Sequence, residues 1–268
     1  MPVQTQMDAR ESWRIFRIMA EFVEGFEVMA PIGRAVSVFG SARTKPTDPM
    51  YKAAEETGRL LAKAKFAVIT GGGPGIMEAG NKGAFEAGGV SVGLNITLPQ
   101  EQEGNKYQNV SLDFHYFYAR KVMFTKYADA FICFPGGFGT MDELFEVLTL
   151  VQTLKVEPFP VVLYGSKFWT GLLEWMRQEL REGFIDPEDI DIFKIVDDPA
   201  EAVKIVKKRW WKPLDVDLRA VTNSGSATQL PVEGSAAAAG DTGEGTRYGK
   251  RAKRPDKKHV ESKKKPQS

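Results

Sequence analysis

The stretch PGGFGTMDE, residues 135–143, decides the fold class because of what stands on either side of it. A short apolar run, residues 130–134, precedes it, and a segment with helical spacing follows from residue 140 to about residue 155. An apolar strand that passes through a glycine-rich turn into a helix is the repeating unit of α/β proteins. The stretch therefore predicts a buried parallel strand with the turn at its carboxyl end.

The same alternation of short apolar runs and helical segments extends from residue 35 to residue 210. The predicted strands are 35–39, 66–70, 90–96, 110–114, 130–134, 160–164 and 191–196. The predicted helices are 51–64, 76–87, 118–127, 140–155, 168–182 and 199–210. This pattern predicts an α/β fold, a Rossmann-like doubly wound parallel sheet with helices on both faces. Ligands of such sheets bind at the carboxyl ends of the strands, near the switch in strand order.

Composition divides the chain into three parts. Residues 1–30 form a predicted amphipathic helix that covers its own domain, packs on a second subunit, or does both. Residues 31–218 form the Rossmann-like domain, and residues 219–268 a low-complexity tail that we expect to be disordered. The tail is basic from residue 247, with ten Lys and Arg against two acidic residues. It is interpreted as a solvated tail, with contact to nucleic acid or an acidic partner as the alternative.

The whole-chain composition bounds the class of protein. The chain has 268 residues, 43% of them hydrophobic, which suits a globular protein with a sizeable core. It has no run of eighteen apolar residues and no signal-peptide pattern, so we expect no membrane association and a cytoplasmic location. With Cys133 as the one cysteine, and only His115 and His259 beside it, we expect neither a disulfide framework nor a metal site.

Two glycine-rich turns follow predicted strands, GGGPG at residues 71–75 and GGFG at residues 136–139. A helix N-terminus exposes unpaired backbone N–H groups and a partial positive charge, and glycine lets an anion approach them closely. Either turn alone could simply be a tight connection. Two of them at the same edge of one sheet favour a phosphate site.

The common nucleotide-binding motifs do not match this sequence, which reduces the number of candidate ligands. Ile76 stands where the dinucleotide motif G-x-G-x-x-G needs its last glycine, and the segment 94–96 lacks the acid that would bind the ribose. No G-x-x-x-x-G-K-[ST] occurs either. A mononucleotide or a sugar phosphate is the simplest remaining ligand.

Charged and hydroxyl side chains surround the second turn. Thr140, at the predicted helix start, can cap the helix or bind a phosphate oxygen. Asp142 and Glu143 fall in the predicted first turn, where acids are ordinarily favoured, but Glu143 lies one turn from Thr140 and can face the same pocket. Arg120 and Lys121 open the helix before the fifth strand, where a cation is mildly unfavourable and an anionic partner is therefore indicated.

Three motifs together carry a resemblance to a known family. GGGPGIMEAGNKGA (71–84), ARK (119–121) and PGGFGTMDE (135–143) resemble the GGGxxGxM, RK and PGGxGTxxE motifs of the LOG ("Lonely Guy") family. Its members are cytokinin riboside 5′-monophosphate phosphoribohydrolases, often mislabelled lysine decarboxylases. The resemblance covers roughly residues 34–210. It implies hydrolysis of the N-glycosidic bond of a cytokinin riboside 5′-monophosphate or AMP to free base and ribose 5-phosphate, without metal or cofactor, by a homodimer or higher oligomer.

The resemblance also assigns residues. It implies that Arg120 and Glu143 are catalytic. The residues that it and the turns together assign to substrate binding are Gly40, Ser41, Gly72, Gly73, Gly75, Met77, Glu101, Arg120, Lys121, Gly136, Gly137, Phe138, Gly139, Thr140, Met141, Asp142 and Thr149. Two departures stand out. Glu78 replaces the glycine of compact plant-type members, which is typical of the longer bacterial branch and bears on base preference, and Asp142 replaces the commoner Glu while preserving charge.

Three other functions compete with this hypothesis. A non-catalytic nucleotide or molybdenum-cofactor carrier on the same fold would share the glycine turns but would not require both Arg120 and Glu143. A lysine decarboxylase would need a pyridoxal phosphate site and a Schiff-base lysine, for which Lys121 is the one candidate beside the turns. A nucleic-acid binder would use the basic tail. The joint presence of Arg120 and Glu143 favours the hydrolase.

Overall fold

The computed structural model describes residues 9–98, 104–180 and 183–208. Seven parallel strands form one sheet in the order β4-β3-β2-β1-β5-β6-β7. The strands are β1 (Ala35–Phe39), β2 (Ala67–Thr70), β3 (Ser91–Ile96), β4 (Val110–Phe114), β5 (Ala130–Cys133), β6 (Val161–Tyr164) and β7 (Phe193–Val196). The helices are α1 (Ala9–Met29), α2 (Pro49–Lys63), α3 (Ile76–Glu86), α4 (Phe117–Lys126), α5 (Phe138–Gln152), α6 (Ser166–Trp175) and α7 (Pro199–Lys208). The predicted fold class is confirmed.

The sheet is covered on both faces, and β1 shows how. Ala35 and Phe39 point into the core beneath α1, α4, α5 and α6, which also holds Trp169. Val36 and Val38 point into the opposite core, beneath α2, α3 and α7. Side chains alternate between the faces of a strand, so burial on both faces requires apolar residues at nearly every position. This explains why the strands were visible in the sequence as continuous apolar runs.

Some helix boundaries differ from the predicted ones. α5 begins at Phe138, two residues before the predicted start, because Gly137 in an extended conformation supplies the N-cap position. α6 begins at Ser166 and ends at Trp175, and one π-helical turn, Met176–Leu180, continues it. Short 3-10 helices, Ala30–Ile32 and Pro187–Ile192, precede β1 and β7.

The N-terminal helix α1 packs on α4. Its Glu21 carboxylate accepts hydrogen bonds from the backbone N–H groups of His115 (2.9 Å) and Tyr116 (3.2 Å), and Met29 at its end is fully buried. The predicted tail, 219–268, lies outside the described residues. Within the part of the chain that the structure covers, no helix combines the length and the apolar character that crossing a bilayer requires.

The strand order places a cleft. β1 pairs with β2 on one side and with β5 on the other, so the connections leaving β1 and β5 turn to opposite faces of the sheet. The loops at the carboxyl ends of these two strands therefore part and leave a crevice at the switch point. Both glycine-rich turns border it.

Candidate active site

A cavity of about 810 Å³ opens at this switch point. It is bordered by the turns after β1, β2 and β5, by the end of β3 and by the first turn of α4. The predicted site residues that line it are Gly40, Ser41, Gly73, Met77, Arg120, Gly136, Gly137, Phe138, Gly139, Thr140, Met141, Asp142 and Glu143. Sequence segments more than a hundred residues apart thus meet around one space.

Four predicted site residues are not in this lining, and one cannot be placed. Gly72 and Gly75 belong to the β2–α3 turn, but they shape it rather than line the cavity. Lys121 and Thr149 border a shallower depression on the outer side of α5, and the Thr149 hydroxyl donates to the Phe145 carbonyl (2.7 Å). Glu101 lies outside the described residues.

The turn after β1 joins the two glycine-rich turns. The Ser41 N–H donates to the Pro135 carbonyl (3.0 Å), and the Ser41 carbonyl accepts from the Ile76 N–H (3.0 Å). Gly75 has φ +70° and approaches so closely that a Cβ there would lie 2.3 Å from the Ser41 carbonyl oxygen. Only glycine satisfies both conditions at low cost. The three turns are therefore held as one unit.

The start of α5 differs from the sequence-based prediction in a way that matters for chemistry. Its N-cap is Gly137, which has no side chain to cap the helix, and Thr140 is the third helical residue, buried beside Gly136. Thr140 is thus not the cap, and Asp142 and Glu143 belong to the second turn instead of the first. The first N–H groups of α5 consequently face the cavity without a side-chain partner.

Glu143 is a buried carboxylic acid. Its side chain is only 8% exposed. Burial raises the pKa of Glu143 to about 7, with smaller upward contributions from Glu146 and Asp142, while Lys121 and Arg120 oppose the rise. A carboxyl group with a pKa near neutrality can exchange protons under physiological conditions, which is typical of functional sites.

Arg120 reaches into the same cavity from α4. Its guanidinium lies over the rings of Phe117 (5.3 Å) and Phe124 (5.5 Å), and Nη1 donates a long hydrogen bond of 3.4 Å to the Leu94 carbonyl. Nε is buried and has no hydrogen-bond partner among the described residues. Burial lowers the pKa of Arg120, against the attraction of Glu143 and Asp142. Most buried donors in folded proteins have a partner, so this nitrogen is an exception within the described part of the chain.

Lys121, the next residue, turns the other way. Its Nζ lies 3.1 Å from Asp142 Oδ2 and 3.7 Å from Glu143 Oε2, and it hydrogen-bonds Glu146. Burial alone would lower the pKa of Lys121, but the three carboxylates raise it. A Schiff base requires a neutral amine, so this environment disfavours the lysine decarboxylase hypothesis.

A polar clamp behind the β2–α3 turn was missed by the sequence analysis. Asn105 Nδ2 donates to the carbonyls of Gly72 (3.0 Å) and Gly73 (3.1 Å) and to Asn81 Oδ1 (2.9 Å). Gln108 Nε2 adds a bond to the Gly72 carbonyl (2.8 Å). Loop asparagines and glutamines look like ordinary surface residues in a sequence. The one available signal was Asn81, a polar residue on the buried face of α3.

The Glu78 departure falls away from the cavity. The Tyr51 hydroxyl donates to Glu78 Oε1 (2.9 Å), so the carboxylate joins α3 to α2. Glu78 is absent from the cavity lining. That this substitution bears on base preference stays a prediction. Asn95, Arg43 and Phe117 line the cavity and were not predicted.

The fold and its cleft define a doubly wound α/β protein with its candidate site at the topological switch point. Comparison with known proteins narrows this class. The family model described as "Possible lysine decarboxylase" matches residues 77–206. Cytokinin riboside 5′-monophosphate phosphoribohydrolase LOG3 of Arabidopsis thaliana is 33% identical over 182 residues, covering 65% of this chain and 81% of the relative. The enzyme of that name from Rhodococcoides fascians is 30% identical over 161 residues, covering 59% and 81% respectively.

Two solved structures are similar to this chain. The X-ray structure of TM1055 has a TM-score of 0.50 and 28% identity, covering 66% of this chain and 99% of its own. The molybdenum cofactor carrier protein of Chlamydomonas reinhardtii has a TM-score of 0.49 and 25% identity, covering 67% of this chain and 99% of its own. From the sequence relatives, the chain belongs to the LOG family, and the predicted resemblance is confirmed.

Proposed function

We propose that this protein hydrolyses the N-glycosidic bond of a nucleoside 5′-monophosphate and releases the free nucleobase and ribose 5-phosphate. The observation that carries the proposal is that Glu143, Arg120 and the uncapped start of α5 border one cavity. Similarity to the Arabidopsis and Rhodococcoides enzymes supports a cytokinin riboside 5′-monophosphate as a substrate, with AMP as the simplest analogue to test.

In this proposal the phosphate lies against the N-terminus of α5. Gly137 and Gly139 border the cavity, and a Cβ at either position would meet no atom within 4 Å, so the backbone is open to a ligand. The helix dipole and the free N–H groups favour an anion there. Holding the remote phosphate would fix the ribose relative to the acid, which supplies much of the rate enhancement in reactions of bound substrates.

Glu143 is then the group that addresses the sugar. Cleavage of an N-glycosidic bond develops positive charge at the anomeric carbon, as in glycoside hydrolysis. An ionised Glu143 stabilises that charge or accepts a proton from the attacking water. Its burial makes the carboxylate more effective, because few waters compete for it.

Arg120 has a different role. A guanidinium does not release its proton at neutral pH, so it is not a general acid. Its side chain lines the cavity, and its guanidinium is held over the rings of Phe117 and Phe124. We assign it to orienting Glu143 and the substrate and to hydrogen-bonding the departing side of the nucleotide.

The test is a panel of nucleotides, AMP and N6-substituted AMP among them, with analysis for free base and ribose 5-phosphate. Wild type is expected to release both products in equal amounts, and Glu143→Ala and Arg120→Ala to lose most of the activity. Glu86→Ala, at an exposed position of α3, is the matched control and should act as wild type.

Two outcomes would contradict the proposal. Tight nucleotide binding without turnover would favour the carrier hypothesis, and full activity in Glu143→Ala would remove the assigned role.

A further inference from the structure

Asn95 borders the cavity at the carboxyl end of β3 and belongs to a connected set of amide groups. Asn95 Nδ2 donates to Gln108 Oε1 (3.1 Å) and to Ser111 Oγ (2.9 Å). Gln108 Nε2 in turn donates to the Gly72 carbonyl (2.8 Å). The polar clamp behind the β2–α3 turn therefore extends, through Gln108, to a residue that lines the cavity.

The Gly72 carbonyl fixes the orientation of both amide groups. A carbonyl oxygen only accepts hydrogen bonds, so Gln108 turns its nitrogen to Gly72 and its oxygen to Asn95. Asn95 must then turn its own nitrogen to Gln108. Because Gln108 and Ser111 use both N–H groups of that nitrogen, Asn95 has no side-chain hydrogen left to donate to a ligand.

The oxygen of Asn95 keeps its capacity to accept. Among the described residues, Oδ1 accepts one long hydrogen bond, 3.4 Å from Gln108 Nε2, and an amide oxygen has two lone pairs. A Cβ at Gly72 would overlap this oxygen, and one at Gly104 would lie 2.9 Å from it, so glycine at both positions keeps side chains away from it. Asn95 therefore has an acceptor, but no donor, to offer a ligand in the cavity.

The order of the strands favours the end of β3 as the position of the nucleobase. β2 and β1 lie between β3 and β5, and neighbouring strands are about 4.8 Å apart, so the ends of β3 and β5 are about 14 Å apart. A nucleotide whose phosphate lies at the start of α5, just after β5, extends its base toward β3. Arg120, assigned above to the departing side of the nucleotide, donates to the carbonyl of Leu94, the residue before Asn95.

We propose that Asn95 selects nucleobases with an exocyclic amino group and that Gln108 is the positioning residue that sets this preference. The inference rests on the proposed function, since it takes the ligand to be a nucleoside 5′-monophosphate. Adenine carries an amino donor at position 6, where a 6-oxopurine carries a carbonyl acceptor. The amino group donates to Asn95 Oδ1. A carbonyl there brings two acceptors together, and the amide of Asn95 is not free to turn its nitrogen toward it.

The test compares AMP with IMP, whose bases differ at position 6 and in the proton on N1. Calorimetric titration of the full chain gives Kd, and release of free base gives kcat/KM. Wild type is expected to favour AMP by about tenfold or more in Kd. N6-methyl-AMP keeps one N–H and should bind as AMP does, whereas N6,N6-dimethyl-AMP has none and should bind about as weakly as IMP. N6-isopentenyl-AMP, which is bulkier but keeps one N–H, is the control for size.

Two variants separate the acceptor from the residue that positions it. Asn95→Ala should bring the ratio of the Kd values for AMP and IMP close to one, chiefly by weakening the binding of AMP. Gln108→Met frees the Asn95 amide to rotate and present its nitrogen, so IMP should bind more tightly than it does to wild type. A role in stability alone would weaken the binding of both nucleotides alike.

Asn109→Ala is the matched control. The Asn109 amide makes two comparable hydrogen bonds, from the Ser91 N–H (2.8 Å) and to the Gly89 carbonyl (3.0 Å), but Asn109 does not line the cavity. Its removal should leave the ratio of the two Kd values as in wild type.

The outcomes distinguish this inference from the proposed hydrolysis. Equal Kd values of wild type for AMP and IMP would overturn the inference, and so would an Asn95→Ala variant that keeps the wild-type ratio. Binding of AMP without release of adenine would refute the hydrolysis alone, because the ratio of Kd values still measures the preference. No measurable binding of any of these nucleotides would refute both.

Discussion

Lys121 Nζ lies 3.7 Å from Glu143 Oε2, whereas the neighbouring Arg120 lines the cavity. Successive residues of a helix point about 100° apart, so two adjacent cations on α4 serve two different partners. One is directed at the space where a ligand fits, and the other at the acidic residues of α5. This division makes the charge state of Glu143 depend on a residue that does not line the cavity.

We expect Lys121→Met to shift the pH dependence of base release to higher pH. The Lys121 ammonium lowers the pKa of Glu143 against the effect of burial, and Asp142 and Glu146 raise it. Removing the ammonium leaves those carboxylates uncompensated, so Glu143 should ionise at higher pH, by about one pH unit or more. The measurement is kcat/KM for AMP as a function of pH. Lys52→Met, on the exposed side of α2, is the matched control.

The pH dependence of kcat/KM distinguishes an effect of Lys121 on the ionisation of Glu143 from an effect on the stability of the protein. A variant that is merely less stable would lose activity at all pH values without moving the midpoint. An unmoved midpoint in Lys121→Met would therefore refute the role that we assign to the ammonium.

Glu143→Gln should stabilise the protein in a pH-dependent way. The pKa of Glu143 rises from 4.5 to about 7 on folding, so the folded state favours the neutral acid. The contribution of the neutral acid to the free energy of unfolding is fully present below pH 4.5 and is lost as pH rises through about 7. Glutamine stays neutral at every pH. The free energy of unfolding of the variant should therefore exceed that of wild type by a margin that grows with pH, to about 3 kcal/mol above pH 7.

Denaturant unfolding of both proteins at several pH values measures this difference. Glu86→Gln, an exposed substitution, should show no comparable gap. If the difference in the free energy of unfolding between Glu143→Gln and wild type is the same at pH 5 and pH 8, burial does not raise the pKa of Glu143.

Arg120→Met should abolish base release without lowering the thermal midpoint. The guanidinium is buried with an unsatisfied Nε, and a methionine can pack against Phe117 and Phe124 at no desolvation cost. Thermal unfolding and the activity assay are measured on the same preparation. Arg59→Met, which removes an exposed ion pair with Glu56, should leave activity intact. A clear drop in the midpoint of Arg120→Met would mean that Arg120 is held for stability.

Gly136→Ala should destabilise the fold, whereas Gly137→Ala should not. A Cβ at Gly136 would lie 2.1 Å from Thr140 Oγ1 and 3.0 Å from the Ser41 nitrogen, so the turn must open. Overpacking of this kind typically costs about 1–3 kcal/mol. A Cβ at Gly137 would meet no atom within 4 Å, so the fold should tolerate it. The added methyl would instead obstruct the proposed phosphate position and raise KM. Equal midpoints for the two variants would refute the packing argument.

The sequence predicted the fold well because the information is local. The central strands are buried on both faces, and each glycine turn follows a strand directly, so strands, helices and turns could be predicted from short segments. It predicted the start of α5 less well. The cap is the backbone of Gly137, which carries no side-chain signal, and the two-residue shift moved Thr140, Asp142 and Glu143 to different helical positions.

The candidate site was predictable only where residue types alone carry the chemistry. Glycines at a helix start, a carboxylate and a guanidinium were recognised, and they do border one cavity. Lys121 and Thr149 were assigned to the same cavity. Their positions on α4 and α5 direct both side chains to the depression on the outer side of α5 instead. Asn105 was missed because its partners, Gly72 and Gly73, lie more than thirty residues earlier in the chain.

The sequence by itself determined the parallel α/β architecture, since alternating apolar strands and helices can bury their faces in few other ways. It also determined that two glycine-rich turns meet at one edge of the sheet. The tertiary structure decided which charges interact. Burial and distances between remote segments raised the pKa of Glu143, placed Lys121 beside the acids of α5, and left Arg120 Nε buried without a hydrogen-bond partner among the described residues. Such effects depend on the dielectric surroundings and spacing of side chains, which exist only after folding.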